Sequence, residues 1–194
     1  MDITEASEPL LSREAEGRGD RLSARNAVLS VPASRVVCPP SKETMRLREF
    51  FTPDVVKLDL HSDQKDDLLK ELVGLLGLDE KAEATLLKTL KRRENLGSTG
   101  IGKGIAIPHC RSLVVNRLRL AYGRKVAGMD FNSIDGAVVH NFFLIVAPPL
   151  EVSNQYLPVL GKIAQFAKDP DVPRELLGLD SPQAFLALLD EKAP

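Results

Sequence analysis

One stretch of this sequence concentrates the residue types that handle phosphate. Between Arg93 and His109 run Gly97, Ser98, Thr99, Gly100, Gly102, Lys103 and Gly104, followed by Ile105-Ala106-Ile107-Pro108. Closely spaced glycines let backbone amides converge into an anion-binding nest. The hydroxyls of Ser98 and Thr99 add donors, and Arg93 offers a planar fork of N–H groups to a phosphoryl group. His109 supplies the acceptor atom, because an imidazole with an ordinary pKa of about 6.5 is largely neutral at neutral pH, is nucleophilic and forms covalent intermediates. Pro108 fixes the chain just before it, so the ring projects from a rigid strand end.

The same stretch nearly matches a mononucleotide P-loop: Gly97, four residues, Gly102 and Lys103. Gly104 then stands where that loop needs a Ser or Thr to hold magnesium, and a helix precedes the glycines where a strand would be required. These departures argue against nucleotide binding; an ATP-using enzyme would need Lys103 on the phosphates, and otherwise Lys103 either attracts an incoming partner or idles. Lys91 and Arg92 read as a solvated helix end. His61 reads as a solvated turn residue, His140 as a packing residue of an apolar strand, and Cys110 as a small buried hydrophobe.

The elements that must position these groups alternate between strand and helix. Residues 55–60 alternate like a half-buried strand, and Ser62 is placed to cap a helix carrying Leu68, Leu69, Leu72 and Leu76. Asp79 opens a second helix that ends in Lys91, Arg92 and Arg93, where cations suit the helix dipole. Ile105 to Ile107 forms a strand that ends at Pro108. Residues 118–125 and 138–146 form two more, the second apolar enough to be central and covered on both faces, with Asp135-Gly136 turning between them. Ser153 caps a helix through Lys168 that Pro158 bends or delays. Ser181 with Pro182 begins the last one. This order defines an α/β fold with a mixed β-sheet sandwiched between helices.

The 194 residues hold one domain and a remainder. Seven Phe and two Tyr all lie from Phe50 onward, and there is no Trp. Residues 1–44 mix six basic with seven acidic residues and lack aromatic side chains, so they are expected to be a disordered extension, with Met45 as a candidate start of translation. They match neither a secretory signal nor a transit peptide. With 26 Lys plus Arg against 27 Asp plus Glu, the chain has no strong field for nucleic acid or a membrane surface. Its longest apolar run is far below the roughly 20 residues of a span. Cys38 and Cys110 make neither a disulfide framework nor, with three His, a zinc site. A cytoplasmic protein without metal or other cofactor is expected.

The run GSTGIGKGIAIPH, residues 97–109, preceded by Arg93-Glu94, resembles the active-site signature of the enzyme IIA proteins of the phosphoenolpyruvate-dependent phosphotransferase system, fructose/mannitol type 2 class. It looks most like the nitrogen-regulatory branch. The resemblance extends over about residues 46–190, including Met129-Asp130-Phe131 to Asp135-Gly136 and the apolar strand ending Val146-Ala147-Pro148. It implies the enzyme IIA fold over 45–194 and a phosphocarrier rather than a free-standing enzyme. Such a protein accepts a phosphoryl group from an HPr-like protein, for nitrogen-type regulation or for relay to a sugar permease. The alternative is a non-phosphorylated module of the same fold that binds a kinase, channel or transcription factor.

On matching positions the resemblance makes His109 the phosphorylated residue and Arg93 the guanidinium beside it. Ser98 and Thr99 line the site, with Gly97, Gly100, Gly102 and Gly104 as its phosphoryl-binding loop. Family members commonly carry a second His at the start of the helix after the apolar strand, where this chain reads Asn154-Gln155-Tyr156-Leu157. Gln155 or Tyr156 is left to hydrogen-bond the imidazole or phosphate, and the missing His favours regulation over relay. Cys110 stands where the family often has Gly.

Overall fold

The strand expected to be central is central. In the computed structural model, which describes residues 45–150 and 154–193, β6 (Val139–Ala147) runs through the middle of a mixed sheet. The expectations for residues 1–44 and for Ser153 lie outside the described residues. On one side β6 pairs antiparallel with β5 (Arg119–Met129), which in turn pairs parallel with β1 (Val56–Lys57). On the other side it pairs parallel with β3 (Ile105–Ala106) and β4 (His109–Arg111). A short strand, β2 (Gly100–Gly102), closes that edge by pairing antiparallel with β3.

Because successive strand residues face opposite sides, the apolar run of β6 feeds two cores. One face buries Ile105, Ile107, Tyr122, Phe143 and Ile145 against α3 (Tyr156–Phe166), α4 (Val172–Leu177) and α5 (Pro182–Lys192). The other buries Ala106, Cys110, Phe142, Leu144 and Val146 against α1 (Lys65–Gly74) and α2 (Glu80–Asn95). Fully burying one such Leu, Ile or Phe contributes about 1.5–3 kcal/mol, so helices on both faces are what the sheet's composition demands. The sandwich expected from the order of elements is the one observed.

Helix entrances follow the capping residues where a cap exists. Asp79 accepts from the Ala82 amide at 3.0 Å, and Ser181 from the Ala184 amide at 3.2 Å with Pro182 following. Ser62 is not a cap. Its amide and hydroxyl both bond the Glu71 carboxylate, and α1 begins three residues later after Gln64. The strand expected over 55–60 shrinks to β1, because Pro53–Val55 turns as a 3-10 helix before it. Pro158 falls in the first turn of α3, where a missing N–H costs no intrahelical bond. The α4 turn and the β2–β3 hairpin were not anticipated.

Pro108, expected to end the strand, does not end it. Ile105 pairs with Asn141, Ala106 with Phe142, His109 with Ile145 and Arg111 with Ala147, so the register is unbroken across the proline. Pro108 has no amide hydrogen to give, but its carbonyl accepts from the Ile145 amide at 2.9 Å. The chain therefore stays extended through His109 to Arg111.

Candidate functional site

The extended register decides where His109 points. It alternates with Ala106 and Cys110 and shares its face with Ile105 and Ile107, the side covered by α3. Its Nδ1 lies 2.7 Å from the Ile107 carbonyl oxygen. A carbonyl only accepts, so Nδ1 carries the proton and Nε2 keeps the lone pair. The ring is half-buried. That burial lowers the imidazole pKa below its ordinary value and the Arg93 charge lowers it further, against the raising effect of the Ile107 carbonyl and Glu94. The outcome is a neutral imidazole with a defined free nitrogen.

Arg93 comes from the last turn of α2. Its guanidinium NH1 donates to the Gly97 carbonyl at 2.9 Å, which folds the side chain over the loop leading to His109. Next to it, Glu94 turns inward. It accepts from the Thr99 amide at 3.0 Å and the Thr99 hydroxyl at 2.6 Å, and pairs with Lys65 Nζ at 2.8 Å. Glu94 and Thr99 are both buried, so one end of α2 holds a guanidinium outside and locks the loop inside.

That lock changes the roles expected of the loop. The Thr99 hydroxyl is spent on Glu94, and the Ser98 hydroxyl donates to the Phe131 carbonyl at 2.7 Å while accepting from the Gly100 amide at 3.1 Å. Neither hydroxyl is a free phosphate donor in this structure. Nor do the glycines converge into a nest: Gly100 and Gly102 belong to β2, and Gly104 forms the turn into β3 at φ +73°. The Gly102 amide donates to Ser133 Oγ and the Lys103 amide to Asp135 Oδ2. The glycines serve close approach instead. A Cβ on Gly100 would sit 2.9 Å from the Ser133 Cα, and one on Gly104 would press on the His140 ring at 3.3 Å. Gly97 is exposed, and its contribution is the carbonyl that holds Arg93.

Of the two residues at the start of α3, Tyr156 reaches the site and Gln155 goes elsewhere. The Tyr156 ring centroid is 6.4 Å from that of His109, whereas Gln155 lines a groove with Phe50, Arg117 and Leu118. Lys103 is drawn away too, its Nζ donating to the Lys168 carbonyl at 2.8 Å. His140 packs as expected, with Nδ1 near the Lys125 and Val126 carbonyls, and His61 is exposed beside Asp59. Cys110 is buried on the opposite face, and burial pushes its thiol up to about 12, out of reactive range.

Two residues of this neighbourhood escaped the sequence reading. Glu94 entered only in the Arg93-Glu94 pair before the glycine run, with no role assigned to it. Arg111 lies two residues beyond His109 on the same face, a relation visible only once the strand is known to continue past Pro108. Leu113, two residues past Arg111, and Leu157, next to Tyr156, are 89% and 67% exposed. No helix among the described residues is long and apolar enough to cross a membrane.

The mixed sheet between helices is the fold of enzyme IIA domains. Residues 49–192 match the family described as "Phosphoenolpyruvate-dependent sugar phosphotransferase system, EIIA 2", and the chain belongs to that family. It is 31% identical over 147 residues to a "Nitrogen regulatory protein" of Pseudomonas aeruginosa, covering 75% of this chain and 95% of that one. It is 30% identical over 149 residues to the "PTS system fructose-specific EIIABC component" of Bacillus subtilis, covering 76% of this chain but only 23% of that much longer protein. The crystal structure of nitrogen regulatory protein IIA-Ntr from Neisseria meningitidis superposes with a TM-score of 0.67 at 29% identity, over 74% of this chain and 98% of the other.

Proposed function

We propose that the protein is a phosphocarrier that accepts a phosphoryl group on His109 Nε2 from a phosphohistidine of an HPr-like protein and uses it for nitrogen-type regulation in the cytoplasm. The observation that carries this reading is the 2.7 Å contact between His109 Nδ1 and the Ile107 carbonyl, which leaves Nε2 as the nucleophile. In the transfer, the Nε2 lone pair forms a bond to phosphorus. The bond between phosphorus and the donor's ring nitrogen breaks, and its electron pair returns to that ring. The His109 ring gains positive charge as the new bond forms, and its Nδ1–H donates more strongly to Ile107. Little covalent work falls to the rest of the protein beyond alignment and spreading of charge, and Arg93 is the nearest assigned cation for that task. Exposed Leu113 and Leu157, adjoining Arg111 and Tyr156 in sequence, suit a protein donor, since a docking surface needs apolar anchors.

The test is incubation with phosphoenolpyruvate, enzyme I and the HPr-like carrier, followed by mass spectrometry. Labelling of His109, absent in His109→Ala, supports the proposal. An unlabelled His109 would sink it.

Whether the phosphoryl group moves on to a sugar permease is a separate matter. The start of α3 offers Gln155 and Tyr156 and no imidazole, which favours a terminal regulatory carrier over a relay. If binding of a regulated kinase or channel proved unchanged in His109→Ala, the non-covalent module would replace the carrier.

A further inference from the structure

Arg111 sits two residues past His109 on β4, and residues at that spacing project from the same face of a strand. Its NH1 donates to the Pro148 carbonyl at 2.9 Å and, more weakly, to the Pro149 carbonyl at 3.4 Å. The guanidinium carbon lies 4.6 Å from the Tyr156 ring centroid, a cation–π distance, and that same ring stands 6.4 Å from the imidazole of His109. Tyr156 thus forms a shared wall for the two side chains. A long, exposed arginine ordinarily keeps its rotamer freedom in water. Here two carbonyls and an aromatic face hold it.

The orientation of His109 completes the arrangement. Nδ1 faces back along the strand toward Ile107, so Nε2 is directed away from Ile107, and Arg111 is the next residue along the strand on the same face. Among the described residues the bonds made by Arg111 use NH1 alone, and a guanidinium has five N–H donors in a planar fork. The remaining edge is available to the oxygens of an anion.

We infer that Arg111 is a second phosphoryl-binding guanidinium, which clasps the group carried on His109 Nε2 from the side opposite Ile107 while the proline carbonyls and Tyr156 hold it in place. This rests on the phosphocarrier reading. It gives the site two cations of different origin: Arg93 arrives on a helix end, and Arg111 on the strand that bears the histidine. A phosphoryl group carries close to two negative charges at neutral pH, so a pair of guanidinium groups balances it where one does not.

The experiment is a phosphorus NMR titration of the full chain phosphorylated with phosphoramidate, a small donor that needs no protein partner. A neighbouring cation favours the dianion and lowers the phosphoryl pKa, so Arg111→Gln raises the titration midpoint by about half a unit or more. Arg111→Lys restores most of the difference because it keeps the charge. In the wild-type protein, which removes any question of variant folding, phosphorylation shifts the Arg111 Nε–Hε resonance. An unmoved resonance and an unmoved midpoint, with phosphohistidine present, overturn the role of Arg111 and leave the phosphocarrier reading intact. Absence of phosphohistidine on His109 from phosphoramidate and from the HPr-like donor alike overturns both.

Discussion

The Nδ1 atom of His109 is held 2.7 Å from the carbonyl oxygen of Ile107, two residues earlier on the same extended chain. That bond exists because Pro108 leaves the register intact, so the local geometry of one proline fixes the tautomer of the neighbouring histidine. Burial, then the Arg93 charge, lower the imidazole pKa, and the Ile107 carbonyl and Glu94 oppose them without prevailing. The folded value is depressed below about 6.5, the unfolded one. The neutral ring therefore stabilises the fold above that pH, and the contribution is lost as pH falls through the folded value. Nitrogen-edited NMR of His109 is expected to show an Nδ1–H tautomer and a midpoint below 6.5. An Nε2–H tautomer, or a midpoint above that value, contradicts the assignment.

Glu94 ties α2 to the loop through Thr99 and to α1 through Lys65. Removing it strands the buried Thr99 amide and hydroxyl and leaves the Lys65 ammonium without its carboxylate. Glu94→Ala is expected to cost about 2–4 kcal/mol, and Glu94→Gln roughly half of that because an amide oxygen still accepts from Thr99. Urea denaturation midpoints of the two variants check both the size and the order. Equal midpoints for wild type and Glu94→Ala would show that the lock carries no weight.

How much of this was readable in the chain depends on the range of the interactions. The strand 139–147, the caps at Asp79 and Ser181 and the turn at Gly136 are written in local periodicity and side-chain chemistry, and they stand where expected. The glycine stretch was misassigned because glycine is equally suited to a phosphate nest and to a tight hairpin. What decides between them is Ser133 and Asp135, about 31 residues away, which take the Gly102 and Lys103 amides. Ser62 followed by a leucine repeat is a sound cap signal, yet Glu71 competes for its hydroxyl from within the helix itself. Arg111 was hidden by a rule that is right on average, that proline ends a strand, and wrong where a central neighbour maintains the register.

The Glu71 carboxylate gathers the Ser62 hydroxyl and amide, the His61 amide and Lys57 Nζ. Burial alone raises a carboxyl pKa, but these bonds outweigh it and hold Glu71 down at about 2, against an ordinary 4.5. A depressed acid stabilises the fold above its unfolded pKa, and that stability is lost as pH falls through the folded value. The window therefore runs from about pH 5 down to 2. Its depth stays below about 3 kcal/mol, the full conversion at about 1.4 kcal/mol for each tenfold change in proton affinity, because solvent screens the carboxylate. Glu71→Gln should lose stability at pH 7 and flatten the acid limb in that window. Thermal melts at intervals of pH test this, and an acid limb as steep in the variant as in wild type would assign acid unfolding to other groups.

Leu113 and Leu157, 89% and 67% exposed, lie within two residues of Arg111 and Tyr156, whose ring stands 6.4 Å from that of His109. Neither leucine supports the core, so replacing both with Glu is expected to leave the melting temperature close to wild type. If a protein donor docks there, a charged side chain must be desolvated at its interface, and the KM for transfer from the HPr-like carrier rises by about tenfold or more. The small donor phosphoramidate has no such interface, so its rate of labelling His109 stays within about twofold of wild type. The pair of measurements separates docking from chemistry. A parallel fall in both rates would instead place the leucines in the reacting site, and no change in either would move the docking surface to another face.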